Sequence, residues 1–68
     1  MTINWTKRGP GDYFFTHEGK ELARIKDVGK GPLHWNWALL PTKEWGRGDT
    51  MAQARVMAEM AIRQYLGV

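Results

Sequence analysis

The side chains that could act as nucleophiles, acids, bases or metal ligands are few and scattered in this 68-residue chain. There is no Cys and no Ser, and the hydroxyls are five Thr and two Tyr, none spaced to be activated by a neighbouring base. His17 and His34 are the two imidazoles, and they fall on different predicted strands. With Asp12 or Glu18 they have no local ligand spacing of the kind that holds zinc, so no metal and no cofactor is expected. Gly29-Lys30-Gly31-Pro32 lacks the spacing of a phosphate-binding loop and is not followed by a helix, so it reads as a turn. Arg47-Gly48-Asp49 spells an adhesion tripeptide, but Asp49 is better explained as helix-start chemistry. The expectation is a protein that is not an enzyme.

What remains is binding chemistry, and it resides in aromatic, basic and exposed apolar residues. Trp5 and Trp45 lie outside the periodic segments. Each fits either a lid over the edge of the core or a surface anchor of the type that dominates protein interfaces. Val56 and Met60 fall opposite the main apolar stripe of the predicted helix, beside Ala52, and form a small strip suited to a partner protein or a second copy of the chain. Lys20, Arg24 and Lys26 recur on alternate or near-alternate positions of one predicted strand, and Lys30 follows at the turn. Together with His34 and Asn36 they would give a basic, hydrogen-bonding sheet surface, which is how sheet proteins read DNA.

The elements that must position these residues are set by turn signals and periodicity. Glu18-Gly19 separates residues 12–17 from 20–28, and Gly29-Lys30-Gly31-Pro32 separates the latter from 33–41. Leu33, Trp35, Trp37 and Leu39 alternate with His34, Asn36, Ala38 and Leu40, the period of a half-buried strand. In the second run Ala23 and Ile25 oppose Leu22, Arg24 and Lys26, with a bulge expected near Leu22. Residues 41–48 read as a loop with two glycines and a proline, and Ile3 and Trp5 pack along an edge or add a short fourth strand. A helix spans about 50–66. Thr50 with Gln53 makes a capping box, and Met51, Ala54, Met57, Ala58, Ala61, Ile62 and Tyr65 form the inward stripe. Gly67 ends the helix, and Glu59 with Arg63 forms an i,i+4 pair.

The sequence therefore predicts one α+β domain over residues 1–68, a three-stranded antiparallel sheet followed by a single C-terminal helix packed on one face. Three alanines on the helix stripe leave room for Trp35 and Trp37, with Leu33 and Leu39 completing the core. A chain of this length has a small core, and without disulfides it depends on aromatic packing or on association as a homodimer. No signal peptide and no membrane-spanning stretch is evident, so a cytoplasmic protein with no membrane partner is expected. The net charge of +3, with basic and acidic residues interspersed, permits nucleic-acid binding without demanding it.

Gly11-Asp-Tyr-Phe14, Gly19 to Ile25, Trp35-Asn-Trp-Ala-Leu39 and Thr50-Met-Ala-Gln-Ala54 together cover most of the chain. This pattern resembles the small β-β-β-α proteins encoded by phages and prophages. The resemblance implies an accessory protein in the cytoplasm of a host cell that binds a host protein, as anti-defence and anti-CRISPR inhibitors do. In topology the chain also resembles AP2-like integrase arm-binding domains, which implies strand residues facing DNA. It is similar to the latter part of a double-stranded-RNA-binding domain as well, but lacks that family's N-terminal helix and the lysines at the helix start.

Overall fold

Two-residue turns set the first two hairpins in a computed structural model that describes residues 1–29 and 31–68. Strand β1 (Thr6–Gly9) passes through Pro10-Gly11 into β2 (Asp12–His17), with Gly9 paired to Asp12. Gly11 has φ +63°, and Pro followed by Gly is the pair that a type II turn selects. Strand β2 turns at Glu18-Gly19 into β3 (Lys20–Asp27), and His17 pairs with Lys20. Both turn residues have positive φ, +51° and +78°, the left-handed pair whose twist suits adjacent strands. Strand β4 (Trp35–Leu39) follows, then β5 (Glu44–Gly48), across the four residues from Leu40 to Lys43. The result is a five-stranded antiparallel meander in the order β1-β2-β3-β4-β5, followed by helix α1 (Met51–Leu66).

The architecture is α+β, with an antiparallel sheet and a C-terminal helix, but the sheet has five strands instead of the expected three. The three predicted strands are β2, β3 and β4. The added strands are the two edges. Ile3 and Trp5 form no strand and pack against the core, the first of the two expected outcomes, while β1 is built from Thr6–Gly9 and residues 44–48 of the predicted loop form β5.

Helix α1 begins as its residues dictate. Thr50 is the N-cap, its Oγ1 accepting from Gln53 N at 3.1 Å. The Gln53 side chain returns to Asp49 N, 2.6 Å away, one residue earlier than a standard capping box. Gly67 at φ +75° closes the other end, its N–H bonded to Arg63 O. The helix packs across β3, β4 and β5. Ala54, Ala58, Ala61 and Ile62 are buried against Phe15, Leu22, Ala23, Ile25, Trp37 and Leu39. Trp35 packs at the margin of this core, so the pairing of a tryptophan strand with an alanine stripe holds.

Three inward assignments differ. Tyr65, expected on the inner helix stripe, is 47% exposed, and Leu66 packs against the core in the last turn instead. Leu33 lies outside the core, 45% exposed, because the chain adopts a left-handed φ of +59° there and β4 starts only at Trp35. Leu22 is buried instead of sharing the face of Arg24 and Lys26. Phe15 pairs with Ala23 and Thr16 with Glu21, which leaves Leu22 as the extra residue of a bulge. The expected bulge is therefore present. Its backbone oxygen still accepts from Leu40 N at 2.8 Å, so the β3–β4 pairing runs on past it.

Candidate binding surface on the open sheet face

Because paired residues in neighbouring strands share a face, register alone sorts the sheet. Tyr13, Ile25, Trp37 and Gly46 form one cross-strand row, and Phe15, Ala23, Leu39 and Glu44 form another, both on the helix side. The alternate positions make two rows on the opposite face, which no element covers among the described residues. One row runs Thr6, Phe14, Arg24, Ala38, Trp45, and the next runs Asp12, Lys26, Asn36, Arg47.

This face combines cations with aromatic rings. The Arg8 guanidinium lies over the Phe14 ring, 4.3 Å from its centroid, and that of Arg47 lies 5.8 Å from the centroid of Trp45. Both contacts are of the cation–π type. Toward the β1–β2 edge the charge is balanced. Arg8 pairs with Glu21, and Arg24 lies 3.7 Å from Glu21 and 4.0 Å from Asp12. Toward β5 it is not. Lys26 and Arg47 flank Asn36 in register, and neither forms an ion pair with a described residue. Trp45 is 63% exposed and stands opposite Ala38, whose methyl group leaves the floor beside the indole low.

Of the residues singled out from the sequence for a basic sheet surface, Arg24, Lys26 and Asn36 do come together. Lys20 does not. Beyond the Leu22 bulge the alternation reverses, so Glu21 joins the open face and Lys20 moves to the helix side. There it lines a depression of about 260 Å³ with His17, Leu22, Tyr65 and Leu66 at the C-terminal end of the helix. His34 is held at the end of the β3–β4 hairpin, its Nδ1 2.8 Å from Asp27 Oδ1, and Lys30 lies outside the described residues. Asp27 also accepts from Gly29 N at 2.8 Å. These bonds, that from His34 foremost, hold the Asp27 carboxyl below the ordinary carboxylate range. His17 and His34 lie near opposite ends of β3, roughly 25 Å apart at the rise of a strand, and so cannot share a metal ion. No group of three or more acidic or histidine side chains among the described residues is placed to hold one.

The protein-contact candidates separate as well. Trp5 is a lid. Its ring packs on Phe15 with centroids 6.1 Å apart, and its Nε1–H donates to Glu59 Oε2 at 2.9 Å. Glu59 is in turn flanked by Arg55 at 3.8 Å and Arg63 at 3.6 Å. Val56 and Met60 stand exposed on the outer side of the helix, 55% and 66%.

Sequence reasoning missed Arg8, Phe14 and Arg47 as members of the open face and left the role of Trp45 undivided. The available signal was Pro10-Gly11, a hairpin turn that brings Thr6 opposite Phe14. No described helix is long and apolar enough to cross a membrane. Compared with known proteins, the chain matches no family model, no curated protein and no solved structure.

Proposed function

We propose that this protein is a non-catalytic binding module whose open sheet face contacts nucleic acid. The observation that carries the reading is the register row Lys26–Asn36–Arg47 beside the row that ends in Trp45. It sets two uncompensated cations, an amide and an exposed indole together on a face that the helix leaves bare. Cations neutralise phosphates and release their counterions, aromatic rings accept bases, and an amide can hydrogen-bond base edges. The matching test is fluorescence anisotropy of a labelled oligonucleotide. Binding at low salt that weakens steeply as salt rises supports the reading, and no binding at low salt removes it.

A second reading is supported by a different surface. Val56 and Met60, one helical turn apart and exposed, form an apolar strip suited to a protein partner or to a second copy of the chain. In that case the module binds a host protein, as an anti-defence inhibitor of phage type would. The open sheet face is favoured because it offers aromatic, cationic and amide groups in fixed register, whereas the helix strip offers two side chains.

A further inference from the structure

We infer that the open face takes a single strand rather than a duplex, with a base stacked on the Trp45 indole and neighbouring phosphates held by Lys26 and Arg47. The inference rests on reading that face as a nucleic-acid surface.

Width is the first argument. A three-stranded sheet is about 10 Å across, and can enter a DNA major groove about 12 Å wide. Strands β1 and β5 extend this sheet to five strands, which makes it about 19 Å across at the usual strand spacing. A face of that breadth is too wide for the groove. It suits a strand laid across it, as in the sheet platforms that bind unpaired bases.

The state of the two aromatic rings is the second argument. Phe14 is already capped by Arg8 at 4.3 Å, so its outward side is occupied. Trp45 is 63% exposed, and its cross-strand neighbour Ala38 is too small to cover it. Its flanking positions, Glu44 and Gly46, belong to the other face. Arg47 approaches the Trp45 ring only at 5.8 Å, a looser contact than that of Arg8 on Phe14, and the exposure of most of the indole to water is unfavourable. Covering it with a flat partner is favourable, and every base presents such a partner.

Charge is the third. Arg47 lies on the same strand and the same face as Trp45, two residues on, and Lys26 lies two strands away in the row of Arg47. Two cations on one side of a stacking ring fit a chain whose phosphates alternate with bases. Four cations face two carboxylates on this surface, Arg8, Arg24, Lys26 and Arg47 against Asp12 and Glu21, so the face is positive.

The test compares three probes of equal length on the full chain, a single-stranded DNA oligomer, the same sequence as a duplex and an abasic oligomer, and repeats the single strand and the abasic oligomer with Trp45→Ala and Trp45→Phe. The single strand is expected to bind more tightly than the duplex or the abasic oligomer. Trp45→Ala should weaken single-strand binding roughly ten- to hundredfold, leave the abasic oligomer unchanged, and keep the wild-type melting temperature. Trp45→Phe should retain most of the affinity. Duplex binding equal to single-strand binding, or a Trp45→Ala variant that binds the single strand like wild type, overturns the inference while leaving a nucleic-acid surface in place. No binding of any probe at low salt overturns both.

Discussion

The Trp37 indole lies against the backbone of Gly46, so closely that a Cβ at position 46 would sit 2.6 Å from Trp37 Nε1. The two residues are register partners in β4 and β5, and the ring occupies the space that a side chain on β5 would need. Gly48 repeats the device one step further, since a Cβ there would meet Ala54 N at 2.9 Å. Glycine in a strand interior is normally unfavourable, but here it lets a buried tryptophan and the first turn of the helix approach the sheet closely.

Gly46→Ala should therefore destabilise the fold by about 1–3 kcal/mol, the usual cost of forcing extra volume into a packed core. Urea unfolding checks it through a lowered midpoint with an unchanged slope. A midpoint equal to wild type would mean that the indole moves aside freely.

Trp5 should separate packing from hydrogen bonding. Trp5→Phe keeps a ring on Phe15 but removes the donor to Glu59, and is expected to cost about 1 kcal/mol. Trp5→Ala removes the ring too and should cost clearly more. Equal unfolding midpoints for the two variants would contradict the lid.

Asp27 should make stability depend on pH in one direction. Its carboxyl is held below the ordinary carboxylate range by His34 and by the Gly29 N–H. A group whose pKa is lower in the folded state stabilises the fold above its unfolded value, and that contribution fades as pH falls through the folded value. Asp27→Asn should thus lower stability at neutral pH, with the gap to wild type closing in acid. Urea midpoints at pH 7 and pH 3 measure both, and a gap of the same size at the two pH values would contradict the assignment.

Val56→Glu with Met60→Glu should leave folding intact, because both side chains are exposed on the outer helix face. Far-UV circular dichroism and a melting curve report this directly. If the double variant also keeps wild-type affinity for an oligonucleotide, the helix strip and the sheet face are independent surfaces. A marked loss of that affinity would show that the helix strip contributes to nucleic-acid binding.

Local patterns made the centre of this fold legible, and tertiary contacts hid its edges. The alternation of Trp35, Trp37 and Leu39 and the helical spacing of Ala54, Ala58 and Ala61 are properties of short windows, and they locate β4 and the inner face of the helix. Glu44-Trp-Gly-Arg-Gly48 reads as a loop by composition, because the reason for its glycines lies in Trp37 and Ala54, remote in sequence. Thr6-Lys-Arg-Gly9 has no apolar alternation at all, and only Pro10-Gly11 announces it. The candidate face was half legible. Arg24, Lys26 and Asn36 follow from period two, but Lys20 was misplaced by the Leu22 bulge, and Arg47 needed a strand that its own residues do not advertise.

The central claim is that Lys26 and Arg47 on the open face contact nucleic-acid phosphates. It is tested most directly by the salt dependence of single-stranded oligonucleotide binding, for wild type and for a Lys26→Ala, Arg47→Ala double variant. The slope of log affinity against log salt should become shallower by about one to one and a half in the variant, since each lost phosphate contact removes about 0.7. An unchanged slope, or no binding by the wild type at low salt, would contradict it.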